Sequence, residues 1–191
     1  MDVFPGGREV VYAERTSGGS SLFRLPLARG AAPTQLQLVP KVITQMRLSP
    51  DGSMMTFVDG PLGAGDVYVS TMPVTSPPVL VEKGVGSAPL WSPKGDQIYY
   101  RVRPTGQGLK PPALVRNSAE HLTRDWMMIS RTVRTVPQLT LGPAVKLFTS
   151  RRTAFLEDVS IDGRFLLLVP QALSSYEPYA VWTNAIASTR R

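Results

Sequence analysis

Few residues in this chain have the type and spacing for chemistry. Asp51 and Asp162 each stand between a serine and a glycine, as Ser49-Pro50-Asp51-Gly52 and Ser160-Ile161-Asp162-Gly163. A carboxylate beside a hydroxyl can act as a general base or hold a metal ion. The same residue types build a tight turn, where Asp suits the third position and Gly the fourth. The spacing also misses the Asp-box pattern Ser-x-Asp-x-Gly, because Gly52 and Gly163 follow their aspartates directly. A turn role is therefore expected for both. His121, the sole histidine, could serve as a general base toward Ser118 or Ser130. A triad is defined by geometry, so the expected role is an exposed loop side chain. Gly18-Gly19-Ser20-Ser21-Leu22 lacks the second glycine of a Gly-x-Ser-x-Gly nucleophile elbow. No Gly-x-Gly-x-x-Gly or phosphate loop is present, so the chain is not expected to be itself a kinase. Trp91, Trp126 and Trp182 could line a ligand pocket, but strand aromatics usually pack between sheets, and that is their expected place. No catalytic, cofactor-binding or metal-ligating residue is assigned, and the chain is expected not to be an enzyme.

The totals narrow the partners. The 191 residues are enough for one domain with a core, and 42% hydrophobic with 18% charged residues describes a folded chain. There is no cysteine, which excludes disulfides and thiolate metal sites, and one histidine excludes a multi-histidine site. The net charge of +7 is scattered, with only Arg151-Arg152 and Arg190-Arg191 adjacent among the lysines and arginines. A nucleic-acid surface wants a basic stripe with interleaved aromatics, so no nucleic-acid partner is expected. No apolar run reaches the roughly 18 residues of a membrane span. The first residues show neither a basic nor an apolar leader region, so no secretory signal is expected and the compartment stays open.

The elements that would position these residues repeat. Gly7, Gly52 and Gly95 are 45 and 43 residues apart, and Gly163 follows after 68. Leu36 and Leu80 lie 29 and 28 residues past their turn glycines, and Leu22 and Val67 each lie 15 past theirs. Each turn precedes a short apolar run: 9–13, 54–58, 97–102 and 164–169. Further strands are expected at 22–27, 34–38, 42–48, 66–70, 79–81, 89–91, 126–130, 145–148 and 179–184. The units are roughly 1–40, 41–84, 85–150 with a polar, proline-bearing insertion at 104–124, and 151–191, the last incomplete. No segment shows sustained helical periodicity. Four-stranded sheets with apolar runs this continuous must be covered on both faces by neighbours. The expected fold is all-β: a propeller segment of about four antiparallel blades in a single domain.

Leu48-Ser49-Pro50-Asp51-Gly52 before an apolar strand, then Asp66-Val67-Tyr68-Val69, resembles the repeats of TolB-like, WD-repeat-like β-propellers. The tail, Val145-Lys146-Leu147-Phe148, then Glu157 through Leu166, then Val181-Trp182-Thr183-Asn184, is similar to the last blades of propellers at the C-terminus of large bacterial sensors linked to kinase or regulator domains. Ile161 departs from the pattern by replacing proline. The resemblance implies six or more blades in the complete protein, of which this chain would be the C-terminal part. It implies a non-catalytic scaffold for protein–protein interaction or ligand sensing, with a protein partner or small ligand at blade-end loops, chiefly 104–124. Self-association through open blade edges is also expected. The alternative is an accessory propeller of a hydrolase or peptidase whose catalytic domain is absent. Relatives of this kind are often periplasmic or extracytoplasmic.

Overall fold

The computed structural model describes residues 1–39, 41–61, 65–103, 126–136, 138–150, 155–169 and 180–182. Among them every regular element is a strand. The first sheet is a meander of β1 (Asp2–Val3), β2 (Glu9–Thr16), β3 (Gly19–Pro26) and β4 (Thr34–Val39). The second runs through β5 (Ile43–Leu48), β6 (Met54–Asp59), β7 (Gly65–Thr71), β8 (Val79–Trp91), β9 (Gln97–Val102) and β10 (Trp126–Arg134). Strands β11 (Thr140–Leu141) and β12 (Val145–Ser150) both pair with β10. The third sheet is β13 (Phe155–Val159), β14 (Phe165–Val169) and β15 (Ala180–Trp182). All pairings are antiparallel.

The second sheet joins what the sequence divides. Expected strands at 79–81 and 89–91 are one strand, β8, which pairs with β7 through its first half and with β9 through its second. Its bend is fixed by side chains. Asp66 Oδ1 accepts from the Gly84 N–H at 2.7 Å, and Gln45 Oε1 accepts from the Ala88 N–H at 2.8 Å. Arg131 donates to the Val81 carbonyl at 2.7 Å and to the Gly142 carbonyl at 2.8 Å, tying the two halves of the sheet together. Strand β11 has no counterpart in the sequence expectation.

Alternation along the strands sends side chains to both sides, and three cores form between successive units. Met55, Phe57 and Tyr68 meet Val11, Leu22 and Val39 of the first sheet. Met54, Val58, Val67 and Val69 face the other way, toward Trp91, Ile98, Tyr100, Ile129 and Val133. Leu90, Trp126, Met128 and Phe148 then face Leu156, Val159, Phe165 and Leu167. The sheets approach one another through their first strands, β1 to β5, β5 to β8 and β8 to β13. Stacked meanders with the first strand of each unit innermost are propeller blades.

Candidate binding site at the inner strands

The repeated turns sit where each first strand hands over to the second, and their hydrogen bonds account for their residue types. The Gly52 N–H donates to the Ser49 carbonyl at 2.8 Å, and Gly52 has φ +72°. Ser49 Oγ accepts from the Met54 N–H at 2.9 Å and donates to Asp51 Oδ1 at 2.6 Å. Asp51 also accepts from the Ser53 N–H at 3.0 Å and the Ser53 hydroxyl at 2.7 Å. These bonds, that from Ser49 foremost, hold its carboxyl below the usual carboxylate value. In the third unit Lys94 takes the place of the aspartate, and Asp96, one residue past the glycine, accepts from Ser92 Oγ at 2.8 Å instead. In the fourth, Asp162 accepts from Ser160 Oγ and pairs with Arg164 at 2.7 Å. These two contacts lower its pKa in that order. Every carboxylate is spent on its own turn.

The tryptophans follow the packing expectation where they are described. Trp91 is buried between the second and third units, with Nε1 donating to the Arg47 carbonyl at 3.2 Å. Trp126 is buried edge-on to Phe148, at 5.8 Å between centroids. The side chain of Trp182 lies outside the described residues, as do Ser118, His121 and the insertion at 104–124. Ser130 is buried in β10. Strands β9 and β10, which flank the insertion, end where the β2–β3 and β6–β7 connections lie, at the opposite end of the blades from the turns.

The strongest candidate site is a cavity of about 340 Å³ where the first strands of three units converge. Thr44, Gln45 and Arg47 line it from β5, Ala88 from β8, Arg101 from β9 and Glu157 from β13. The walls are irregular. The β5–β6 register shifts between Ile43 and Gln45, and the β8–β9 register between Ser87 and Leu90. Thr44 spends its hydroxyl on the Val58 carbonyl at 3.2 Å. Ala88 has φ +48°, a left-handed conformation that costs a residue with a Cβ about 1 kcal/mol. It is held there by Gln45. Such strain clusters at ligand sites.

Two guanidiniums and one carboxylate give the cavity its charge. Arg47 is exposed. Arg101 lies over the Trp126 ring, 5.5 Å from its centroid. Burial, and then the neighbouring Arg103, disfavour its cationic form, while Glu157 favours it. A planar guanidinium partly withdrawn from water suits a carboxylate or another planar anion. Nothing in the sequence singles out Arg47 or Glu157, because each stands among other polar positions, in Thr44-Gln45-Met46-Arg47 and Glu157-Asp158. One signal was there: Arg101, between Tyr100 and Val102, is a charge in a strand whose alternate residues are buried.

Solved structures share this architecture. The putative TolB from Agrobacterium tumefaciens matches with TM-score 0.50 and 16% identity, over 79% of this chain and 49% of its own. The β-propeller domain of the Trilobed protease from Pyrococcus furiosus matches with TM-score 0.54 and 12% identity, over 96% and 53%. A structure of the nidogen/laminin complex matches with TM-score 0.54 and 11% identity, over 88% and 55%. No protein-family model matches the sequence, and neither does any curated protein. The fold is thus an all-β propeller segment, with TolB among its structural neighbours, and the chain spans about half the length of these neighbours. Among the described residues no helix is long and apolar enough to cross a membrane.

Proposed function

We propose that this propeller segment is a non-catalytic binding scaffold, part of a larger bacterial sensor, and that the cavity at its inner strands takes an anionic group of a ligand or partner protein. The observation that supports it is the presence of both Arg47 and Arg101 in the lining of a cavity whose wall includes the strained Ala88. Charge-assisted bonds to a guanidinium are stronger than neutral ones, which makes Arg101, partly withdrawn from water, and the exposed Arg47 the anchor. The blade-end insertion at 104–124 is a second contact for a protein partner.

Calorimetric titration with succinate and with a hexaglutamate peptide tests the reading. Saturable binding that weakens about tenfold in Arg47→Ala supports it, since that is the loss of one charge-assisted bond of about 1.4 kcal/mol. Absence of saturable binding by either probe overturns it.

A second reading, an accessory propeller of a hydrolase, draws on the protease origin of one structural neighbour. A hydrolase domain encoded in continuity with this chain favours that reading, and a kinase or regulator domain favours the first.

A further inference from the structure

The first strands of the second, third and fourth units each break register at the cavity they share. In β5 the partners Ile43–Asp59 and Gln45–Val58 leave Thr44 over, and in β8 the partners Ser87–Arg101 and Leu90–Tyr99 set Ala88 and Pro89 against Tyr100 alone. In β13 the partners Leu156–Leu167 and Asp158–Leu166 leave Glu157 over. Thr44, Ala88, Pro89 and Glu157 all line the cavity. A bulge re-aims a side chain, and bulges gather beside active sites. At β13 the re-aimed side chain is charged. Asp158 keeps its carboxylate for the Val159 N–H, at 2.8 Å, and Glu157 stands exposed on the cavity wall. The charged side chains of the lining are thus two cations and one anion, Arg47 on β5, Arg101 on β9 and Glu157 on β13.

We infer that Glu157 sets the class of ligand: a small amino-acid-like zwitterion, whose carboxylate lies on the guanidiniums and whose ammonium lies on Glu157. The inference rests on the anion-binding reading of the cavity and deepens it. A simple anion meets the guanidiniums but also the carboxylate, and like charges brought together in one site repel. A simple cation meets the reverse. A ligand with one charge of each sign finds an opposite charge for both of its ends. Size agrees, because about 340 Å³ is near the lower end of the range for ligand cavities and suits a molecule of amino-acid dimensions. The placement of Glu157 agrees too. Its charge favours the cationic form of Arg101, so the two are electrostatic neighbours, and a small ligand that reaches one reaches the other. Arg47 belongs to the second unit, Arg101 to the third and Glu157 to the fourth, so such a ligand also bridges three units.

Calorimetric titration with 4-aminobutanoate and with succinate, short chains of similar length that differ in the charge at one end, tests it on the wild type and on Glu157→Gln. Both probes are expected to bind the wild type, 4-aminobutanoate about threefold more tightly, the gain from one ion pair to an exposed carboxylate. In Glu157→Gln, 4-aminobutanoate is expected to weaken and succinate to tighten, each about threefold, so that the preference reverses. Glu157 is exposed, so the substitution is expected to leave the fold intact, with circular dichroism as the check. Succinate binding to the wild type without a preference for 4-aminobutanoate overturns the inference and leaves the anion-binding reading standing. So does a Glu157→Gln variant in which both probes gain alike, because Glu157 would then only shield the guanidiniums. Absence of binding by both probes overturns the inference and that reading together.

Discussion

Strands β6 and β14 hold the same place in their units, each following its turn and pairing with its unit's first strand. Their chemistry is alike, Met54-Met55-Thr56-Phe57-Val58 against Phe165-Leu166-Leu167-Leu168-Val169. Their surroundings are not. These five residues of β6 are all buried, because the first sheet covers one face and the third unit the other. In β14, Phe165 and Leu167 are buried while Leu166 between them is open. The turns diverge in step. In the second unit the strand closes from Ser49 N–H to the Met54 carbonyl, five residues on, and in the fourth from Ser160 N–H to the Arg164 carbonyl, four residues on. Gly52 touches its neighbour unit, where a Cβ would lie 3.0 Å from Pro5 Cδ and 3.3 Å from Phe4 Cδ1. A Cβ on Gly163 would meet nothing within 4 Å. A continuous apolar strand is thus a statement about neighbours, and its energy depends on how many of them are present.

The sharpest way to break the comparison is to empty each strand in turn. Phe57→Ala removes a fully buried ring stacked at 5.4 Å on Tyr68, and a loss of about 3–5 kcal/mol is expected from transfer and cavity together. Leu166→Ala is expected to cost about 1 kcal/mol or less, its side chain being partly in water already. Urea unfolding at concentrations too low for self-association measures both. Equal losses would mean that β14 is covered on both faces within the single chain. The turns give a smaller contrast of the same kind. Gly52→Val is expected to lose about 2 kcal/mol, from its positive φ and its contact with Pro5, and Gly163→Val about 1 kcal/mol from its φ of +79° alone. Matching losses would show that the contact between turns contributes nothing.

These contrasts separate what was legible in the residues from what was not. The turn at Ser49 could be read in full, because each of its bonds is local: Ser49 to Met54, Asp51 to Ser53, Gly52 to Ser49. The stacking of blades could be read from β6, since an apolar run without alternation has no other stable setting. The long β8 could not. Its continuity depends on Asp66, Gln45 and Arg131, which reach it from 18, 43 and 50 residues away. The cavity at the inner strands was hidden for the same reason. Thr44, Ala88 and Glu157 share a wall only because three units converge, and no spacing along the chain encodes that meeting. In the third unit the carboxylate moved from the turn's third position to Asp96 without altering the turn, a substitution invisible to motif matching.

The smallest expected effect tests the two aspartates that first suggested chemistry. Both are held below the usual value of 3.8 by hydrogen bonds from a serine, Ser49 for Asp51 and Ser160 for Asp162. A carboxyl whose pKa is lower in the folded chain than in the unfolded one adds stability in full above the unfolded value, and that part is lost as pH falls through the folded value. Acid should therefore weaken the wild type more than Asp51→Asn below pH 3.8, so that the difference between them narrows as pH drops. Urea midpoints followed down through this window would show the convergence. Asp162 differs in having Arg164 as its second support, an ion pair open to solvent on both sides. Added salt screens exposed pairs, so it should shrink the pH effect of Asp162→Asn and leave that of Asp51→Asn nearly unchanged, since Asp51 is held by serine and backbone donors alone. If salt moved both variants equally, the two turns would be electrostatically alike, and the distinction between a turn braced by its own hydroxyls and one braced by a surface charge would fail.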